Sequence, residues 1–210
     1  MRSRTVLAAL AVSALVAGGV RAAEPDTAQV GQARAAVKEL GETLKRELMA
    51  SIAAGGPLAA IGVCKTIAPA LAEKTSATRG LKVGRTALRL RNPANAPDAW
   101  ERAVLEDFAA QIKAGADPVK LEHAETVTDA GGASTFRYMK AIPMGAVPCL
   151  TCHGAPEPAL KAEITRLYPQ DQATGFRPGE LRGAFTVSAP ASTPAPVVAP
   201  SPTPAPTPGP

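Results

Sequence analysis

Cys149, Cys152 and His153 stand together in the stretch AVPCLTCHGAPEP, residues 146–158, and no other part of the chain groups reactive side chains so closely. Two thiols three apart, with an imidazole directly after the second, permit three chemistries. They can exchange a disulfide, supply half of a zinc site, or hold a haem of the c type. The last needs this spacing. Cysteines at i and i+3 lie one helical turn apart, so each can add to a porphyrin vinyl group while the adjacent histidine comes to lie under the iron.

The surroundings rank these chemistries. A thioredoxin-like protein carries CxxC just after an early strand, whereas this motif follows Pro148, late in a chain of 210 residues. Zinc wants four ligands, and only His123 and Cys64 remain to complete a set. A disulfide between Cys149 and Cys152 is sterically awkward and gives His153 no role. Haem attachment is the primary reading; a haem-free periplasmic thiol–disulfide oxidoreductase using Cys149 and Cys152 is the alternative. Beyond this motif no nucleophile, acid pair or substrate motif stands out, so the chain reads as a non-enzyme. One CxxCH implies one haem, with its second axial position empty or filled by another residue. No methionine follows His153; Met139 and Met144 precede it closely, Met49 reads as core, and His123, in the polar run KLEHAE, reads as solvated. Cys64 remains, on the apolar side of a helix.

The chain around these residues opens MRSRTVLAALAVSALVAGGVRAAEPDT, with arginines, an apolar run from Val6 to Val20 and small residues near Ala22. Residues 1–22 read as a secretory signal peptide, too short in its apolar part for a membrane span. The expected location is therefore the periplasm, with no membrane contact after cleavage. Export also makes an odd cysteine notable, because unpaired thiols there oxidise or cross-link. Position alone leaves Cys64 two meanings, an inert buried thiol or an axial thiolate. Without the leader's Arg2, Arg4 and Arg21, 20 of the 23 basic residues face 18 acidic ones, so the formal net charge falls from +5 to +2. No basic run is interleaved with aromatics, which excludes a nucleic-acid surface. Residues 189–210, rich in proline and uncharged, read as a disordered tail. Residues 23–188 are left as one domain, long enough for a sizeable core.

Within it, Val30, Ala33, Val37, Leu40, Leu44, Leu48 and Ile52 recur at helical spacing over residues 27–53, ended by Gly55 and Gly56. Pro57 starts a second helix whose apolar side carries Leu58, Ile61, Cys64 and Leu71, and Pro69 predicts a kink within a turn of Cys64. LKVGRTALRLR reads as a strand with a bulge at Gly84. RNPANAPDAWE reads as a turn and helix start, capped by Asn95 with Pro97 in the first turn, and the helix buries Trp100, Val104, Phe108 and Ile112. A hairpin turning at Gly131 and Gly132 and a last strand, LRGAFTVS, follow. Helices flanking antiparallel strands make the class α+β.

The runs AIGVCKTIAPALAEK, GRTALRLRNPANAPDAWE, FRYMKAIPMGAVPCLTCHG and GELRGAFTVS resemble the c-type haem family whose domain has a PAS-like fold. That family occurs alone and as a sensor module of membrane signalling proteins, and the resemblance covers most of residues 30–188. It implies a PAS-like antiparallel sheet flanked by helices, a long N-terminal helix, and one haem c held covalently by Cys149 and Cys152. It further implies His153 and Cys64 as the axial ligands. A thiolate favours ferric iron and a low potential. Reduction leaves an uncompensated negative charge in a low-dielectric pocket, so it is expected to couple to protonation or release of Cys64 and to movement of its kinked helix. Arg85, Arg89 and Arg91, on one face of the expected strand, are the candidates for the haem propionates, with Arg137 and Tyr138 behind them. Two functions follow: a redox or diatomic-ligand sensor, or an electron-transfer cytochrome with a redox partner protein. These residues include no kinase or methyl-acceptor segment, which favours a carrier or a partner-dependent sensor.

Overall fold

The apolar periodicity that begins at Val30 folds as one long helical path in the computed structural model, which describes residues 24–192. The expected leader, and the tail from residue 193, lie outside the described residues. Helix α1 spans Thr27–Gly62, its start capped by the Asp26 carboxylate, which accepts from the Ala28 N–H at 3.0 Å. Helical geometry breaks at Gly55 and Gly56, as their pairing predicts. Gly56 adopts φ +71°, where a Cβ is strained, and Pro57 restarts the helix. The path continues through a π-helical turn, Val63–Ile67, into α2, Ala68–Arg79. Pro69 cannot donate to the Lys65 carbonyl, and the chain widens there: the Ala68 N–H reaches back to the Val63 carbonyl. Cys64 lies in this widened turn.

By length and composition Thr27–Arg79 is apolar enough to cross a membrane, yet its first half packs on a sheet. The strands are β1 Lys82–Thr86, β2 Glu122–Thr128, β3 Ser134–Pro143 and β4 Leu181–Pro190, in the order β1-β4-β3-β2 with every pair antiparallel. Alternation sends Val83, Phe136, Tyr138 and Val187 to one face, against Ala33, Ala36, Val37 and Leu40 of α1. It sends Met139, Ala141 and Ala184 to the other, against Val104, Leu105 and Phe108 of α3, Ala99–Lys113. The sheet is thus sandwiched between α1 and α3, an α+β architecture with a long N-terminal helix. Two short helices complete it: α4, Cys149–His153, and α5, Pro158–Leu167. Leu160 and Ile164 of α5, with Tyr168, bury Ile61 beyond the glycine break.

Several local expectations are corrected. The first strand ends at Thr86 rather than running to Arg91, because residues beyond it bond to the segment 171–174; the Gln172 N–H, for example, donates to the Leu90 carbonyl at 2.7 Å. Gly84 sits opposite Thr186 in regular register, and the irregularity falls at Ile142/Pro143. The cap of α3 is Asp98, not Asn95. Asp98 Oδ1 accepts from the Glu101 N–H at 2.8 Å while Glu101 Oε2 accepts from the Asp98 N–H at 3.1 Å, a reciprocal pair that Asn95, in the 3₁₀ turn Pro93–Asn95, cannot form. Met49 is 44% exposed rather than core. The last strand continues past residue 188, with Ala189 opposite Phe136 and the Pro190 carbonyl accepting from Gln29 Nε2 at 2.9 Å. The hairpin forms as expected, Asp129 Oδ1 accepting from the Gly131 and Ala133 N–H groups.

Leu40→Ala, at a fully buried position, is expected to cost about 2–5 kcal/mol in urea denaturation, whereas Met49→Ala is expected to stay within about 0.5 kcal/mol. Equal losses at the two positions would contradict the packing described.

Candidate functional site

α4 is little more than one helical turn, so Cys149 and Cys152 share a side and His153 ends it. The segment after α5 pins that end. The Phe176 N–H donates to the His153 carbonyl at 2.9 Å and the Gly175 N–H to the Gly154 carbonyl at 2.7 Å. Gly154 is required here, since a Cβ would stand 2.7 Å from the Leu150 carbonyl oxygen. The His153 ring is held as firmly as its backbone. Its Nδ1 lies 2.7 Å from the Ala173 carbonyl oxygen, which can only accept, so the proton sits on Nδ1 and the Nε2 lone pair is left for another partner. Burial, then the Arg182 and Arg91 charges, push the imidazole pKa down to about 3. His153 is therefore neutral and able to act as a ligand.

Opposite α4, Leu48, Ile52, Ala60 and Ile61 of α1 form an apolar wall, and Cys64 borders the same cleft. The cleft has two adjoining lobes of about 250 Å³ each, and Cys64, Cys149 and His153 line both. The structure thus brings all four predicted ligand residues, Cys64, Cys149, Cys152 and His153, to one space. All three cysteines are free and half-buried. Among the described residues no three histidine, cysteine or acidic side chains converge enough to hold a single metal ion. The four ring a volume instead of meeting at a point, which suits a group larger than an ion.

The second lobe has a polar border of Arg85 and Arg182, with Met144 beside them. Among the described residues neither arginine has a carboxylate partner; the Arg182 guanidinium donates only to the Arg89 carbonyl, at 3.3 Å. Burial, followed by the Arg91 and Arg85 charges, lowers the Arg182 pKa to about 10, and burial also lowers that of Arg85. Two cations without a carboxylate partner at the edge of an apolar cleft suit an anionic ligand group. A fused apolar ring system carrying carboxylates, with covalent and axial attachment points, fits this lining.

The three arginines expected on one strand face have separate fates. Arg85 borders the cleft. Arg89 is exposed, donates to the Gln172 and Thr174 carbonyls and lies 4.0 Å over the Phe176 ring. Arg91 also lines both lobes of the cleft, but it is buried against Asp171, 3.1 Å away, and donates to the Cys152 carbonyl at 2.7 Å and the Ala173 carbonyl at 3.1 Å. The strand stops before Arg89 and Arg91, so alternation no longer sets where they point. Arg137 pairs with Asp98 at 2.7 Å and Glu101 at 3.4 Å, and the Tyr138 hydroxyl donates to Glu122, so neither borders the cleft. His123 is partly exposed beside Trp100 and Glu125. Met139 is buried between α3 and the sheet, while Met144 packs with Cys149, Ala173 and Phe176. The reading from sequence missed Arg182 and the support from residues 171–176; nothing in their local spacing marks either one.

Larger hollows, about 450 and 480 Å³, lie near Arg137 and along α3. Neither holds a cysteine or histidine, and in the first Arg137 is already paired with Asp98 and Glu101. The Cys152 thiol is pushed up, chiefly by burial, which is the opposite of what a thiol–disulfide catalyst needs.

A family described as Tll0287-like matches residues 13–190. The crystal structure of the cyanobacterial heme-protein Tll0287 is similar to this chain, with a TM-score of 0.60 and 26% identity, covering 81% of this chain and 99% of that one. No curated protein matches.

Because the fold lowers the His153 pKa from 6.5 to about 3, the unfolded chain binds a proton between those values that the folded one does not. His153 thus contributes stability that is fully present above about pH 6.5 and is lost as pH falls toward 3. The urea midpoint should drop between about pH 7 and 5, above the ordinary carboxylate range, and His153→Asn should flatten that drop. Identical slopes for the two proteins would refute the assignment.

Proposed function

This chain belongs to the Tll0287-like family, and from that premise and the cleft we propose that it is a periplasmic mono-haem c-type protein with His/Cys axial ligation, acting in redox sensing or low-potential electron transfer. One observation carries the proposal. Cys64, from the widened turn before α2, shares an apolar cleft with Cys149, Cys152 and His153 of α4.

Each residue has a part for which its surroundings suit it. Cys149 and Cys152 are the thioether attachment points, and burial pushes the Cys152 thiol up, away from disulfide exchange. His153 presents Nε2 as the proximal ligand, its tautomer held by the Ala173 carbonyl. Cys64 is the second axial ligand, carried on a π turn, a feature frequent at functional sites. Arg85 and Arg182 take the propionates; of the set Arg85, Arg89 and Arg91 expected from strand alternation, Arg91 also lines the cleft but is paired with Asp171. Leu48, Ile52, Ala60 and Ile61 exclude water from the ring faces. When bound, haem c supplies a one-electron ferric/ferrous couple. The sheet with its flanking helices is read as PAS-like, and the protein as a binding or electron-transfer protein rather than an enzyme. Export by the N-terminal leader supplies the compartment in which haem c is attached.

The cyanobacterial relative is a haem protein, and that likeness and the cleft's lining support the same cofactor. Material co-expressed with a cytochrome c maturation system is expected to carry one covalent haem by pyridine haemochrome and intact mass, and Cys149→Ala/Cys152→Ala none. Cys64→Ala should keep its haem but change the ferric absorption and electron paramagnetic resonance spectra. An unchanged spectrum removes Cys64 as ligand; absence of covalent haem in the wild type overturns the proposal. Rapid exchange with several electron donors would assign a carrier, and slow exchange with a redox-linked ligand change a sensor.

A further inference from the structure

We infer that the buried Arg91–Asp171 pair is a positioning and tuning device for the His153 imidazole, acting through the Ala173 carbonyl that Arg91 and His153 share. This inference rests on the haem reading above.

The contacts form a closed set. The Ala173 carbonyl oxygen accepts from His153 Nδ1 at 2.7 Å and from Arg91 Nη2 at 3.1 Å. The same Nη2 donates to the Cys152 carbonyl at 2.7 Å, one residue before His153. Asp171 grips Arg91 through both carboxylate oxygens at 3.1 Å, and its Oδ1 also accepts from the Ala173 N–H at 3.0 Å. Arg91 therefore braces both the backbone on which the imidazole is mounted and the carbonyl that orients its ring. Both members of the pair are 8% exposed at their side chains, so solvent screens these contacts little.

A carbonyl that already accepts a charge-assisted hydrogen bond offers less electron density to a second donor. The His153 N–H is then held in direction but not drawn toward the carbonyl, and the ring keeps neutral imidazole character with less push at Nε2. The Arg91 cation also weighs more at His153 than the Asp171 anion. Both effects favour the electron-richer state of an iron held by Nε2. They oppose the effect of the Cys64 thiolate, so the pair moderates a ligand set that by itself drives the potential down.

The test uses haem-loaded protein. Arg91→Gln/Asp171→Asn removes both charges at nearly constant volume, and the covalent tether keeps the cofactor in place for measurement. The expected result is unchanged haem content by pyridine haemochrome, an unchanged ferric ligand set by electron paramagnetic resonance, and a ferrous-to-ferric ratio at fixed ambient potential lowered at least threefold. Arg91→Lys, which keeps the ion pair but cannot reach both carbonyls, should shift in the same direction by a smaller factor. A ratio within threefold of wild type in the double variant, with haem intact, overturns the inference while leaving the haem reading standing. Where the double variant does not fold, Arg91→Lys decides alone: no shift overturns the inference. Loss of fold in both makes the pair a folding element and also overturns the tuning role. Absence of covalent haem in the wild type is the separate outcome that removes the haem reading.

Discussion

A buried guanidinium is costly unless its charge is paired and its donors find acceptors, and Arg91 answers through Nε and Nη2 with Asp171 and the carbonyls of Cys152 and Ala173. The order of the candidate site depends on that constraint. It joins the loop after β1, the end of α4 and the segment after α5, three pieces of chain without a common sheet or helix. Removing one partner from such a pair leaves an uncompensated interior charge, a loss of about 3–5 kcal/mol in comparable cases. With the pair intact, the Ala173 carbonyl is fixed, the His153 tautomer follows from it, and Nε2 of this cleft-lining residue keeps its lone pair.

The cleft itself is asymmetric in a way that follows from its two sources. Its wall comes from α1, whose Leu48, Ile52, Ala60 and Ile61 lie on either side of the Gly55–Gly56 break. Without that break a straight helix would carry Ile61 away from Leu160 and Ile164 of α5. Its cations come from the start of β4 and the end of β1, where the sheet runs out and, among the described residues, Arg85 and Arg182 have no acid to pair with. An apolar floor with an unpaired cationic rim matches the amphiphilic shape of the proposed haem, its ring on one side and its propionates on the other.

Cys64 shows how a local backbone defect can serve a distant partner. Proline five residues on denies the helix one hydrogen bond, and the π turn that results has its extra residue within reach of the cleft. The cysteine motif by itself accounts for one side of a proposed iron. The far side depends on this turn and on the path of α1 and α2 over the sheet.

The amino-acid sequence by itself determined what local physics can encode. The periodicity of α1, the glycine break, the hairpin at Gly131–Gly132 and the last strand follow from spacings of a few residues and are present in the structure; the chemistry open to CLTCH follows from its spacing in the same way. Cys64 was legible as a candidate because an odd thiol in a chain read as exported calls for explanation, and the family resemblance then gave it a role. Tertiary structure alone decided which arginine does what. Strand alternation put Arg85, Arg89 and Arg91 on one face, but the strand stops at Thr86, and the partner of Arg91 lies 80 residues away. Side-chain period is a property of a segment, whereas the partner of a charge is a property of the packed chain. Arg182 stayed hidden for the same reason: an arginine is notable only once the structure shows that, among the described residues, no carboxylate has come to meet it.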